Sequence, residues 1–205
     1  VPGPSLTTHA FVLRPWPPTD SFQTFSVFTP ARGPLRILQR IPKKNTSTHL
    51  ALDLFDEVTL LLEGNPAGDA WFVKEVRLLN RHAGIGRRYD ALQHASALAI
   101  LVNRNPGPEE SHPPIYQLLR TAFEAFAKTD RPDIVYLKSL YCFARDEGHP
   151  LKQHWFPALP AADRSLAMTL INQPLVGQTI APADVARLSV ALKHYLRQHT
   201  EIHLE

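Results

Sequence analysis

The chain has 205 residues with 22 Lys and Arg against 19 Asp and Glu, and its apolar and charged shares are 44% and 20%. That length allows one large domain or two small ones, and the composition excludes extensive disorder, because so much apolar surface can bury a core. The longest apolar run, Ala95 to Val102, is broken by Ser96. It falls short of the roughly 18 residues that cross a bilayer, and no charged-then-apolar signal segment opens the chain, so a soluble cytoplasmic protein is expected.

Up to Leu79 the pattern is that of strands: Thr8 to Arg14, Phe22 to Thr29, Gly33 to Arg40, Asp53 to Leu62 and Ala70 to Leu79. Clusters of Pro, Gly, Asn and Asp separate them. Phe25 and Val27 point one way in the second run, while in the third Leu35 and Ile37 alternate with Arg36, Leu38 and Arg40. A half-buried sheet requires this alternation, and it puts Arg36 and Arg40 on one face. The turn Pro30-Ala31-Arg32-Gly33 sets Arg32 at a hairpin tip, where its guanidinium is expected to converge with theirs.

Beyond Leu79 the period becomes helical. Gly84-Ile85-Gly86-Arg87-Arg88 reads as a linker, Tyr89 to Asn103 as a helix ended by Pro106-Gly107-Pro108, and Ile115, Leu118, Leu119, Ala122, Phe123 and Phe126 as a buried helical stripe. Helices follow over Asp133 to Glu147, Ala162 to Asn172 and Asp184 to His199. The Trp155-containing stretch from His149 to Pro160 shows no period and reads as a packed loop. Strands followed by helices predict an α+β fold, with a five-stranded barrel of the OB type over residues 1–80 and an all-helical domain over residues 81–205.

Charge is segregated along this plan. Within the first fifty residues Arg14, Arg32, Arg36, Arg40, Lys43 and Lys44 face only Asp20, whereas the remainder is slightly acidic. A basic stripe on a small β unit is the electrostatic footprint of a surface that meets a polyanion, with nucleic acid first among candidates. Trp16, in a Pro-rich loop, is the aromatic residue placed to touch such a ligand, while Phe22 and Phe28 are expected to fill the barrel.

The series His9-Ala10-Phe11-Val12-Leu13-Arg14, Thr19-Asp20, Phe28-Thr29, Arg32-Gly33 and Leu35-Arg36, with Arg40 and Lys43-Lys44 beyond, resembles the opening of the RecO family of bacterial recombination mediators. Leu52-Asp53-Leu54-Phe55 followed by Val58 to Leu62 resembles that family's next strand. Many members carry Ala-Lys-Gly where this chain has Gln39-Arg40-Ile41, and some carry a four-cysteine zinc module where residues 149–174 contain no cysteine. A zinc-free variant is implied. The resemblance further implies binding and annealing of single- and double-stranded DNA, and help to RecA in displacing single-strand-binding protein. Its implied partners are RecR and the acidic C-terminal tail of single-strand-binding protein, and its implied location is at the nucleoid. Arg87, Arg88, Arg104 and Arg120 are the candidate contacts for that tail.

No nucleophile elbow, full Gly-rich phosphate loop or His-Glu-x-x-His arrangement is present, and no catalytic residue, metal or cofactor is expected. Cys142, the only cysteine, reads as a buried thiol. The competing expectation is a protein-interaction adaptor on the same fold, with DNA binding weakened or lost.

Overall fold

The computed structural model describes residues 3–42, 50–65 and 70–204. Five strands, β1 (Ser5–Pro15), β2 (Phe22–Thr29), β3 (Gly33–Arg40), β4 (Glu57–Gly64) and β5 (Trp71–Asn80), precede the helices α1 (Ala83–Gly86), α2 (Tyr89–Arg104), α3 (His112–Lys128), α4 (Pro132–Asp146), α5 (Leu151–Ala158), α6 (Ala161–Asn172) and α7 (Pro182–His199). The fold is mixed α+β. β1 pairs antiparallel with β2 and β4, β2 with β3, and β4 with β5, while β3 runs parallel to β5. The sheet thereby closes into a barrel in the order β1-β2-β3-β5-β4.

Alternation decides which side chains fill it. Ala10, Val12, Phe25, Val27, Ile37, Val58, Leu60, Leu62 and Trp71 form the buried core, with Leu35, Val73 and Val76 packed against it. Each large side chain so buried contributes about 1.5 to 3 kcal/mol over an exposed one. Phe22 and Phe28 correct the expectation that they would fill the barrel. They lie an odd number of residues from Phe25 and Val27 along β2, so they point outward, Phe28 buried edge-on against His112 and Phe22 half-buried against Phe72.

β4 begins at Glu57, four residues later than expected, because Asp53 and Asp56 make a turn. Asp56 Oδ2 accepts the Asp53 N–H at 2.9 Å, Asp53 Oδ1 accepts the Leu54 N–H at 2.8 Å, and Phe55 takes a left-handed φ of 66°. Aspartate side chains in this position substitute for strand hydrogen bonds. Asp56, fully buried, is held in turn by a forked pair with Arg81.

The chain divides into two units, Val1–His82 with Pro106–Arg120, and Ala83–Asn105 with Thr121–Glu205. The first part of α3 therefore belongs with the barrel, not with the other helices as a division after residue 80 supposed. Tyr116 stacks on Phe11 and donates its hydroxyl to Glu57, which explains the assignment.

In the second unit α4 packs against α2 and α7, and its Ile134, Leu137, Leu140, Tyr141 and Ala144 are buried as its period requires. Residues 151–158 are helical, not a loop. Eight residues make only two turns, too short to display a period, and Arg164 satisfies the terminal carbonyls of Phe156, Pro157 and Leu159. The expected linker at residues 84–86 likewise forms one helical turn. No helix among the described residues is long and apolar enough to cross a membrane.

Candidate nucleic-acid interface

Arg14, Ser26 and Arg36 lie side by side across β1, β2 and β3, in register, on the outer face of the barrel. Simple alternation would not put Arg14 there, since it shares the parity of inward-facing Val12. The register shifts between them, with Val12 opposite Val27 but Arg14 opposite Ser26. Leu13 is the extra residue of this bulge, and it turns Arg14 outward.

Trp16 lies against this row. Its indole N–H donates to Ser26 Oγ at 3.0 Å, its backbone N–H donates to Thr24, and its carbonyl accepts from Gln23 Nε2 at 2.6 Å. The guanidinium carbons of Arg14 and Arg36 stand 4.4 and 5.3 Å from the centre of its ring. Each cation–π contact of this exposed kind stabilises by about 0.5 to 1 kcal/mol. Two like charges are gathered on one indole, and among the described residues no carboxylate pairs with either. An anion beside them would relieve their repulsion, which is the electrostatic condition for phosphate binding.

Arg32 and Arg40 do not converge with this pair as expected. Arg32 is exposed at the hairpin tip, but its guanidinium carbon lies 5.5 Å from the ring centre of Trp71. Arg40 is exposed on the outer face at the far end of β3, and four strand residues set it about 13 Å from Arg36 along the backbone. The cations on β3, Arg36 and Arg40, therefore share its outer face, with Trp16 against Arg36. Lys43 and Lys44 lie outside the described residues.

Beside Arg40 a groove of about 680 Å³ runs between β3 and β5, with Phe22, Leu38 and Phe72 half-buried on it and Lys74 and Glu75 on its wall. The Phe22 and Phe72 rings meet at 5.6 Å between centres, inclined by 60°. Lys74 is tied to Glu63 at 2.5 Å, a pair that holds the Glu63 carboxyl below its ordinary range. Gln39 is buried and donates to Leu50 O at 2.7 Å, which anchors the rim of this groove.

Of the four arginines nominated for a protein tail, Arg120 belongs to the barrel unit, and the other three, in the helical unit, do not form a patch. Arg120 forks onto Glu57, whose carboxylate also accepts the Tyr116 hydroxyl at 3.0 Å, and the Glu57 side chain is only 8% exposed. Burial first, and the Glu57 charge next, push the Tyr116 phenol far above its usual range. Arg120 thus closes a structural network within the barrel unit. Arg88 precedes α2, donating to Asp130 at 3.0 Å and to Phe126 O at 2.9 Å. Arg87 is exposed near the start of the same helix, and Arg104 is exposed at its other end, about 24 Å along the axis for sixteen residues.

Cys142 is half-buried on α4, where burial pushes its thiol up. Among the described residues no group of three or more His, Cys, Asp or Glu side chains could hold a metal ion.

Ser26, Gln23 and Phe72 are the members of the interface that sequence reasoning missed. A serine in strand-like sequence carries no signal by itself. Phe72 was detectable in principle, since it follows Trp71 directly, and two adjacent strand residues cannot both point into a barrel. Compared with protein-family models and with curated proteins, the sequence matches none.

Proposed function

We propose that the protein binds DNA on the outer face of its barrel and acts as a recombination and repair mediator, binding and annealing strands and helping RecA onto single strands coated by single-strand-binding protein. The observation that carries the nucleic-acid reading is the Arg14–Ser26–Arg36 row with Trp16 held across it. We infer further that the barrel is an OB fold. The strand order β1-β2-β3-β5-β4 with a parallel β3–β5 closure supports this, as does a cationic, aromatic face on β2 and β3, the region such barrels use for oligonucleotides. The mediator role, with RecR as partner and no bond made or broken, rests on the resemblance of the first 65 residues to the RecO family.

A fluorescence-anisotropy titration with an oligonucleotide at low and high salt tests the DNA reading. Single-strand affinity falls with salt by about 0.7 in log K per log salt for each phosphate neutralised. Reversal of Arg36 and Arg40 to Glu weakens binding to every sequence alike and flattens that slope. Unchanged binding in this variant removes the phosphate-contact assignment.

The adaptor reading has one observation in its favour. In the helical unit a groove of about 520 Å³ is lined by residues of α2, α4 and α7, among them His94, Tyr136 and Lys193, whose ammonium lies 4.9 Å from the Tyr136 ring centre. Asp90, Asp130 and Asp133 line the same groove against Arg131 and Lys193, so it suits a peptide of mixed charge and apolar side chains rather than a strongly acidic one. Tail-peptide binding without any salt-dependent DNA affinity selects the adaptor.

A further inference from the structure

We propose that the groove between β3 and β5 receives an unpaired nucleobase, so that the protein selects single strands over duplex; this rests on the nucleic-acid reading of the barrel face. The groove combines three features. Phe22, Leu38 and Phe72, each half-buried, give it an aromatic patch within an otherwise largely polar lining. The two rings are inclined by 60°, so they form a corner and leave ring surface open to a flat ligand. Arg40 stands at its edge, on the same strand and face as Arg36.

Charge decides which part of a nucleotide enters. Glu75 on the wall repels a phosphate, and Lys74 is already engaged by Glu63. A neutral planar ring is therefore the group that goes in, while its phosphate remains beside Arg40. In a duplex each base face is covered by its neighbours and each edge is paired, so no base is presented to such a corner. An unpaired base presents both faces, and stacking on an aromatic side chain tolerates any sequence because every base has a π face.

The test titrates three fluorescent probes by anisotropy: an oligothymidylate, a strand of the same length built of abasic residues, and a duplex. The unmodified protein binds the oligothymidylate about tenfold or more tightly than the abasic strand. Phe72→Ala removes that difference and leaves the abasic strand and the duplex bound as before, whereas Phe72→Tyr, which keeps the ring, retains it. Arg36→Glu weakens all three together. Equal affinity of the unmodified protein for the oligothymidylate and the abasic strand overturns the base pocket while leaving the phosphate-binding face intact. A Phe72→Ala variant that loses all three probes alike also overturns it, since the ring then serves only the fold. Absence of affinity for any probe overturns the pocket and the DNA reading together.

Discussion

Ser26 Oγ accepts the indole N–H of Trp16 at 3.0 Å, and the ring held by this bond is the one that Arg14 and Arg36 both approach. A strand-centre serine thus fixes an aromatic residue that its own loop would leave free to turn. The bond lies under a half-exposed ring, so its loss is partly made good by water.

Tryptophan fluorescence reports on this arrangement. Trp71 and Trp155 are buried, at 8% and 2% exposure, whereas Trp16 is half-exposed beside the cations. Addition of single-stranded DNA is expected to change the emission, and Trp16→Phe to abolish the change while the other two residues still emit. Ser26→Ala costs the fold about 1 kcal/mol or less. It nevertheless lowers DNA affinity several-fold, because the indole is no longer held. Wild-type affinity in Ser26→Ala shows that the placement of Trp16 is irrelevant to binding.

The parts of the fold that were legible in the sequence are those governed by simple periodicity. β2 and β3 have the bounds their alternation gives, and Phe25, Val27, Leu35 and Ile37 face the core as that alternation requires. Helices α2, α4 and α7 lie within two residues of their apolar stripes. What escaped depends on register or on long-range partners. The bulge at Leu13 inverts the face of Arg14, and no pattern within β1 announces it. Arg120 sits at a helical position that looks available to a ligand, but Glu57, 63 residues away in sequence, occupies it.

Arg120 and Glu57 give a stability prediction that separates a structural role from a tail-binding one. Arg120→Ala leaves the Glu57 carboxylate buried without a counter-charge, with only the hydrogen bond from the Tyr116 hydroxyl. An uncompensated buried charge costs about 3 to 5 kcal/mol, but the Arg120 side chain is 42% exposed, so about 2 kcal/mol is expected here. Glu57→Gln costs less, since an amide oxygen still accepts from both donors. Urea midpoints measure these losses, and affinity for an acidic tail peptide is expected to stay unchanged. A variant of unaltered stability that loses the peptide returns Arg120 to the tail-binding set.

In the helical unit Asp163 receives two nitrogens of Arg187, and this hydrogen bonding holds its carboxyl below the usual range. A depressed carboxyl contributes stability above its unfolded pKa of about 3.9 and loses it as pH falls through the lower folded value. Arg187, whose own pKa is raised by Asp163 and Asp184, stays charged throughout. The Tm difference between the unmodified protein and Asp163→Asn is therefore constant in the neutral range, narrows below about pH 4, and vanishes in stronger acid. Added salt shrinks it at neutral pH, as for any surface pair. A difference that persists unchanged into strong acid assigns it to packing rather than to the ion pair.

Gly33 ends the β2–β3 turn with a φ of +61°, and a Cβ there would stand 2.5 Å from Nε2 of His112. His112 is nearly buried, edge-on to Phe28 at 5.7 Å, so its ring has little room to retreat. Gly33→Ala thus carries two separable penalties. The left-handed backbone costs a non-glycine residue about 1 kcal/mol, and the displaced ring adds an overpacking cost of about 1 to 3 kcal/mol. His112→Ala removes only the second. In a double-mutant cycle read by denaturant midpoints, Gly33→Ala is expected to cost about 1 kcal/mol in the His112→Ala background and distinctly more in the unmodified protein. Equal costs in both backgrounds assign the whole effect to backbone conformation and remove the Gly33–His112 contact as a determinant of how the start of α3 seats on the barrel.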